Sequence, residues 1–358
     1  MNYKKFVYMF LIFTAIILTI VISINCYFDV YAVFRQDKDV YYGNINYRYS
    51  KSVFVLNHKK NYNTFIFGSS RVQKMNPLIL GLNSYNMGVP SGIPEDCLRD
   101  LKIFITNNVN IKNVYLGIDN FCYKLDYEKI IENLDTNPYY TDRALNSKYL
   151  IKMALQIPNI DKIKPYIKLD NNDLVKNYLT TSGQLLLAEL SENNIENHII
   201  DYVYDNKFNK PYYFSDKNAH IDYTISIIKA IKELCEKNDI NLIVFFNPVH
   251  ITSYLMDDIN ISNRFKRELV KVTDFYDFNY INFVTTNNYF WYETSHPRYF
   301  VCDWELKVIT NQIDEEIPRD FGHLITQQNI DYYCNKYLKE KQEFKMPKKQ
   351  YVPEHAVL

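Results

Sequence analysis

An apolar run without a single charge lies near the start of the chain, from Phe6 to Phe28. A helix of that length can cross a bilayer core of roughly 30 Å. Since Lys4 and Lys5 precede the run, the positive-inside tendency predicts a cytoplasmic N-terminus and an extracytoplasmic main domain. A cleaved signal peptide is the rival interpretation, although the run is longer than the usual signal-peptide core and no small-residue cleavage motif follows it. We therefore predict a cytoplasmic stub and transmembrane anchor at residues 1–28.

After a polar and aromatic connector at residues 29–60, short apolar runs alternate with segments of helical periodicity. The predicted strands are NTFIFGSS, SYNMGV, NVYLGIDNF, INLIVFFNP and YINFV, and the main predicted helices are GIPEDCLRDLKIFITNN, DYTISIIKAIKELCEKND and NRFKRELVKVTDF. Strands that are apolar on both faces and alternate with helices indicate a parallel sheet covered on both sides. We predict an α/β fold, a three-layer α/β/α sandwich with a mostly parallel sheet, at residues 61–325.

Two segments depart from this alternation. Residues 123–215 are rich in Tyr, Asn and Leu and mainly helical in pattern, which predicts an insertion able to form a lid. Residues 326–358 are charged and hold too few apolar side chains for a core of their own, so we predict a solvated tail.

Charge and cysteine content narrow the function classes. Lys and Arg together number 41, as do Asp and Glu, so the chain has no net charge to draw it to nucleic acid. The six cysteines form no CxxC pair and show no regular spacing with histidine, which argues against a zinc site. We expect no metal, no cofactor and no nucleic-acid partner.

Polar residues and one glycine stand at the ends of three predicted strands. Ser70 follows the first strand, in FIFGSSRVQ, Gly88 follows the second, and Asp119 with Asn120 follows the third. Because ligands bind beyond the carboxyl ends of the strands in a parallel α/β sheet, these residues are expected at one place. Taken alone, Ser70 is more typical of a turn or a helix cap, and Asp119 equally suits a cap of the turn after its strand.

A second polar motif stands near the end of the domain. In WYETSHPRYF, Glu293 lies three residues before His296, just ahead of a predicted helix. Acyl transfer at a serine needs a hydroxyl, a base within reach, a carboxylate that holds the base, and donors for the developing oxyanion. Ser70, His296 and Glu293 supply the first three. Alternatively, Glu293 and His296 contact each other on the protein surface and have no catalytic role.

The order of these residues resembles that of the SGNH hydrolases, also called GDSL-type esterases. Gly-Ser-Ser ending at Ser70 matches the first block of that family, Gly-Asp-Ser, and makes Ser70 rather than Ser69 the nucleophile. Gly88 matches the second block. GIDN matches the third block, Gly-x-Asn-Asp, with Asp119 at the amide position, and ETSH matches the fifth, Asp-x-x-His, with Glu293 in place of aspartate.

The membrane-anchored branch of that family resembles this chain more closely. It includes the D-alanyl-lipoteichoic acid transfer protein and polysaccharide acetylation proteins, which share an N-terminal anchor, a Gly-Ser-Ser block and an acidic residue three before the histidine. The resemblance covers roughly residues 28–315. It implies a flavodoxin-like strand order, an oxyanion hole formed by Ser70 and Gly88 with Asn120 or Asp119, and a membrane-bound O-acyltransferase as partner.

The sequence thus predicts a single-pass cell-membrane protein that transfers or removes ester-linked acyl groups on a cell-envelope glycan or polymer. Transferase and esterase share every residue named above, and the anchor favours a transferase. A non-catalytic, membrane-tethered assembly or glycan-binding protein with the same fold is the alternative, which the departures at Asp119 and Glu293 keep open. Arg71 is assigned either to substrate binding or to a surface ion pair, and His250 is interpreted as a loop histidine and reserve base.

Overall fold

The computed structural model describes residues 3–34, 45–124, 147–161, 163–164, 179, 181–186, 189–212, 219–347 and 349–353. Within these ranges the chain has an α/β fold with six strands and eleven α-helices. The strands are β1 (Thr64–Phe67), β2 (Ser84–Asn86), β3 (Asn113–Ile118), β4 (Asn241–Phe246), β5 (Phe275–Asp277) and β6 (His323–Ile325). The helices are α1 (Tyr3–Phe28), α2 (Tyr47–Asn57), α3 (Pro94–Thr106), α4 (Ser147–Leu155), α5 (Glu189–Asn197), α6 (Ile199–Val203), α7 (Ile221–Lys237), α8 (Ile251–Met256), α9 (Ile259–Val270), α10 (Tyr299–Ile309) and α11 (Ile330–Glu343). Short 3-10 helices lie at Val72–Lys74, Pro77–Leu80, Asn206–Asn209 and Asn288–Phe290.

The six strands form one sheet in the order β2-β1-β3-β4-β5-β6. All neighbouring pairs are parallel except β5 and β6, which are antiparallel. Phe67 at the end of β1 lies beside Leu116 of β3, and Ile118 at the end of β3 lies beside Phe246 of β4. The segments that leave β1, β3 and β4 therefore start at the same edge of the sheet.

Helices cover both faces of this sheet. Phe65 and Phe67 of β1 pack into a core that includes side chains of α3, α7 and α9, whereas Ile66 between them packs into a second core with side chains of α10. Successive strand residues point to opposite faces, so the two cores lie on opposite sides of the sheet. The prediction of a mostly parallel sheet that is covered on both sides is confirmed.

The last predicted strand is displaced. YINFV does not form a strand; β5 lies at Phe275–Asp277 instead and pairs with the end of β4. The Asn282 N–H donates to the Thr285 hydroxyl oxygen, and the Thr285 N–H donates to the Asn282 side chain. These local side-chain bonds offer the backbone an alternative to ladder pairing, so the apolar residues of YINFV lie in a turn.

Both α2 and α11 lie where the sequence predicted no helix. The connector at residues 29–60 contains α2, whose N-cap Asn46 accepts a hydrogen bond from the third residue of the helix. The segment predicted as a solvated tail contains α11, which buries Ile330, Cys334 and Tyr337. The spacing of four and three places these side chains on one face, and this narrow stripe suffices to dock an otherwise charged helix against α9.

The first helix is the candidate anchor. Among the described residues, α1 is the one helix long and apolar enough to cross a membrane by length and composition, and none of its residues is buried. The predicted insertion at residues 123–215 lies partly outside the described residues. Its described parts include α4, α5 and α6, in keeping with the mainly helical pattern.

Candidate active site

The chain turns sharply at Gly68 as it leaves β1. Gly68 has a φ of +149°, and a Cβ there would lie 2.5 Å from Cγ2 of Val72 and 2.9 Å from the carbonyl oxygen of Gly117. Both the backbone conformation and the space therefore require glycine. The turn leads directly into Ser69, which is fully buried, and Ser70, which is partly exposed.

Gly68→Ala is expected to lower the free energy of unfolding by roughly 2–5 kcal/mol, because the strained φ and the overpacking each contribute. Gly81→Ala is the matched control. Gly81 also has a positive φ, +115°, but nothing lies within 4 Å of a Cβ placed there. Gly81→Ala is expected to lower the free energy of unfolding by roughly 1–2 kcal/mol, because only the backbone strain contributes. Denaturant unfolding of the detergent-solubilised full chain measures both values, and equal losses would contradict the steric argument.

Ser70, His296 and Glu293 form a continuous hydrogen-bonded relay. Oγ of Ser70 lies 2.8 Å from Nε2 of His296, and Nδ1 of His296 is hydrogen-bonded to Oε1 of Glu293. An Nδ1 that faces a carboxylate carries the proton, which leaves Nε2 as the acceptor for the Ser70 hydroxyl. The structure therefore brings together the three residues predicted as nucleophile, base and orienting acid, although they lie up to 226 positions apart.

A narrow hairpin-like loop holds His296 in place. Trp291 and Pro297 form an isolated antiparallel bridge across it, and the Tyr292 N–H donates to the His296 carbonyl at 2.9 Å. The second carboxylate oxygen of Glu293 accepts the Ser295 N–H at 2.7 Å. Both oxygens of the orienting carboxylate are thus bound, so its direction relative to the imidazole is fixed.

Arg71 ties this loop to the serine loop from inside the protein. It is only 2% exposed, and its Nε donates to the carbonyl of Ser295 at 2.7 Å. One terminal nitrogen donates to the Ser295 hydroxyl at 3.1 Å and the other to Asp119 at 2.6 Å. The alternative of a surface ion pair is wrong, because the side chains of Arg71 and its partner Asp119 are buried. The assignment of Arg71 to substrate binding stays a prediction. Its guanidinium is committed to positioning the residue next to His296.

Asp119 lies beneath the relay rather than in it. Its Oδ1 accepts hydrogen bonds from Arg71 and, at 3.1 Å, from Asn247, while its Oδ2 has no partner among the described residues. Glu305 of α10 is fully buried nearby, and both of its carboxyl oxygens lack a hydrogen-bond partner within the described ranges. Burial, and next the negative charge of Asp119, raises the pKa of Glu305 well above its ordinary range, which favours the neutral form of Glu305. Asp119 is therefore the carboxylate that balances the charge of Arg71.

The predicted oxyanion donors differ in their availability. The Gly88 N–H already donates to Oδ1 of Asn86 at 2.8 Å, and the Asn120 amide nitrogen is hydrogen-bonded to Asp257. The Ser70 N–H has no partner within the part of the chain that the structure describes. Of Ser70 and Gly88, the two residues whose N–H groups are predicted as oxyanion donors, only Ser70 thus presents an N–H without a partner among the described residues.

Burial and nearby charges set the proton affinities of the relay. Burial, together with the positive charges of Lys74 and Arg71, lowers the pKa of His296 below its ordinary value of 6.5, against the raising effect of Glu293. Burial opposes ionisation of Glu293, but the hydrogen bonds from His296 and the Ser295 N–H lower its pKa below 4.5. At neutral pH, Glu293 is therefore ionised and His296 is neutral, as a base must be.

Two further charged groups adjoin the relay, and the sequence reasoning missed both. Lys74, at the end of the first 3-10 helix, is buried with its Nζ 5.0 Å from the ring centroid of Tyr292, and burial lowers its pKa to about 8. Arg298, which directly precedes α10, is paired with Glu192 and Glu196 of α5. The insertion is thus bound to the loop that carries His296. Lys74 follows Ser70 by one helical turn, and that spacing was the signal that could have revealed it.

His250 is placed away from the base position. Its Nε2 lies 2.8 Å from Oδ1 of Asn288, and its Nδ1 accepts the Thr252 N–H. Burial lowers the pKa of His250 to about 4. With both ring nitrogens engaged, His250 has a structural role, and its interpretation as a loop histidine is more apt than that of a reserve base.

Among the described residues, no group of three His, Cys, Asp or Glu side chains is arranged to hold a metal ion. A scan against protein-family models and a search of curated proteins both find no match to this chain.

Proposed function

We propose that this protein is a serine-dependent acyl-transfer enzyme of the SGNH type, anchored in a membrane by α1. The observation that carries the proposal is the relay from Ser70 through His296 to Glu293, with its 2.8 Å contact between hydroxyl and imidazole. The strand order of the parallel strands, β2-β1-β3-β4-β5, supports it, because flavodoxin-like sheets have this order and bind ligands at the carboxyl ends of their strands.

In the proposed mechanism, Nε2 of His296 takes the proton of the Ser70 hydroxyl as its oxygen attacks the carbonyl carbon of an ester. The carbonyl oxygen gains negative charge, and the Ser70 N–H donates to it. His296 then protonates the leaving alkoxide, and the acyl group stays on Ser70. A sugar hydroxyl or water, deprotonated by His296, attacks the acyl-enzyme and regenerates the serine. Glu293 stabilises the imidazolium that forms in both steps.

The substrate class follows from the anchor. An outward-facing domain held at a membrane meets the glycans and polymers of the cell envelope, and a membrane-bound O-acyltransferase is the partner that would supply acyl groups there. Purified full chain in detergent, given p-nitrophenyl acetate and an acetylated glycan, is expected to release acetate from both. Addition of an acceptor sugar should divert acyl groups from water to sugar hydroxyls if the protein is a transferase.

The alternative is a non-catalytic glycan-binding or assembly protein. The commitment of the Gly88 N–H and the Asn120 amide to other partners favours it, because a fully formed oxyanion hole needs more than one free donor. The ester assay separates the two proposals: a binding protein retains acylated glycan without any release of acetate.

The pH profile of kcat/KM for ester cleavage tests the role of His296. The base accepts a proton only when neutral, so activity rises with pH through the pKa of His296. This acid limb is expected below pH 6.5, because burial lowers that pKa from 6.5. Lys74→Met removes a cation that lowers the pKa of His296 and should move the limb to higher pH. Glu293→Gln removes the carboxylate that raises it and should move the limb to lower pH. Shifts of both variants in one direction would contradict the assignment.

Topology provides a separate prediction. Lys4 and Lys5, in the first turn of α1, precede its apolar run, so the main domain is expected outside the cytoplasm. A tag appended to the C-terminus should be digested by a protease added to intact cells or spheroplasts, while a cytoplasmic control protein stays intact. Protection of the tag until the membrane is permeabilised would place the domain on the other side.

A further inference from the structure

Four large apolar side chains are exposed within ten residues of α4 and the segment that follows it. Their exposed fractions are 58% for Ile151, 44% for Leu155, 91% for Ile157 and 67% for Ile160. Exposed apolar residues are ordinary when they are scattered, but a contiguous group marks a surface that contacts a membrane or a partner. We call these four residues the apolar platform.

The opposite face of α4 fixes the platform to the protein. Tyr149 and Met153 are buried in a small core with Val33, Tyr49 and Val53. Tyr49 and Val53 belong to α2, so α4 rests on the folded part of the domain. Ile151 and Leu155, four residues apart, lie together on the side of the helix that faces away from this core.

The platform lies directly beside the end of α1. Nδ2 of Asn25 donates to the carbonyls of Ala154 and Gln156, at 2.9 and 2.7 Å. Ala154 directly precedes Leu155 of the platform, and Gln156 lies between Leu155 and Ile157. The bonds fix the height of the platform within one helical turn of Phe28, where the apolar run of α1 ends.

Helix geometry relates that height to a bilayer. The residues from Phe6 up to Asn25 rise by about 28 Å at about 1.5 Å per residue, close to the roughly 30 Å of a hydrocarbon core. Asn25 therefore marks the boundary between hydrocarbon and headgroups when α1 spans a membrane. The platform is at the same level, and the exposed Lys152 beside it suits contact with headgroups.

We propose that the apolar platform enters the headgroup and acyl boundary of the membrane that α1 spans, as a second point of attachment. The occupant is lipid, because the platform continues the lipid-facing surface of α1. Two attachments restrict rotation of the domain about α1, which holds the candidate active site at a set height and orientation above the bilayer. This inference rests on the membrane position of α1 and is independent of the chemistry at Ser70.

Spin labels report directly on this contact. In full chain carrying Cys26→Ser, the other five cysteines are buried, so Ile157→Cys or Ile160→Cys can be labelled selectively. The labelled protein is reconstituted into phosphatidylcholine and phosphatidylglycerol vesicles. Power saturation then compares collisions with oxygen, which concentrates in lipid, and with a water-soluble nickel chelate. Leu18→Cys on α1 is the lipid control, and Leu82→Cys, at a site 86% exposed, is the water control.

We expect labels at 157 and 160 to collide with oxygen severalfold more than with nickel, as at Leu18, and the label at Leu82 to show the reverse. If the platform labels behave like the label at Leu82 while the label at Leu18 is in lipid, the platform does not contact the membrane, although α1 still spans it. Loss of the lipid signature at Leu18 would overturn both. Protection of the platform labels from both probes would mean that protein covers the surface and would also overturn the proposal.

Discussion

Ser70→Ala is expected to lower ester cleavage by at least about 10³-fold, because removal of a serine nucleophile eliminates the covalent route and leaves only residual catalysis by the remaining site. Stability should change little. The hydroxyl is partly exposed and its one hydrogen bond among the described residues is to His296, so the free energy of unfolding should stay within about 1 kcal/mol of the wild-type value. Steady-state kinetics and denaturant unfolding of the same preparation measure both effects.

Ser69→Ala is the matched control for this prediction. Ser69 is adjacent and fully buried, and its hydroxyl oxygen accepts the Arg71 N–H at 3.2 Å rather than contacting His296. Its loss should reduce activity by less than about tenfold, because it removes one structural hydrogen bond worth about 1 kcal/mol. If activity survives in Ser70→Ala but disappears in Ser69→Ala, the nucleophile is Ser69 and the match of Ser70 to the serine of the Gly-Asp-Ser block is wrong.

Asp119→Ala is expected to have the largest effect on stability, a loss of about 3–5 kcal/mol, because it leaves the buried guanidinium of Arg71 without its counter-charge. The side chains of Asp119 and Arg71 are 1% and 3% exposed, and their nitrogen and oxygen atoms lie 2.6 Å apart. Denaturant unfolding of the full chain gives the value.

Two further variants make the Asp119 result specific. Glu305→Gln replaces a side chain that burial keeps neutral with another neutral side chain, and we expect a change within about 1 kcal/mol. The double variant Arg71→Met with Asp119→Leu removes both charges and should recover most of the stability lost in Asp119→Ala, since a buried ion pair contributes little net free energy. It should not recover activity, because the bonds from Arg71 to Ser295 are lost. A double variant as unstable as Asp119→Ala would contradict the ion-pair explanation.

The parts of the fold that the sequence predicted are those set by local apolar periodicity. β1, β3 and β4 are short apolar runs that are followed within two residues by polar side chains, and α7 and α9 are amphipathic over their whole length. β5 and β6 are three residues long, and their pairing depends on neighbours distant in sequence rather than on their own pattern. The charged helix α11 was missed because only three of its side chains are buried.

The candidate site likewise contains residues that the sequence predicted and residues whose roles it did not. Ser70 and His296 follow from short motifs at the ends of elements, and the sheet register then brings them within 2.8 Å. The role of Arg71 depends on the direction of its side chain, which turns inward to Asp119 and Ser295 and which no local pattern encodes. The commitment of the Gly88 N–H to Asn86 is equally a matter of three-dimensional placement.

The central claim is that Ser70 is a nucleophile activated by His296. A fluorophosphonate probe forms a covalent bond to an activated serine oxygen with loss of fluoride, and peptide mass spectrometry locates the adduct. In the full wild-type chain we expect one adduct, on the peptide that contains Ser70. We expect none in Ser70→Ala or His296→Ala, provided that each variant has the same denaturant midpoint of unfolding as the wild-type protein and is therefore folded. Full labelling of Ser70→Ala, or no labelling of the folded wild-type protein, would contradict the claim.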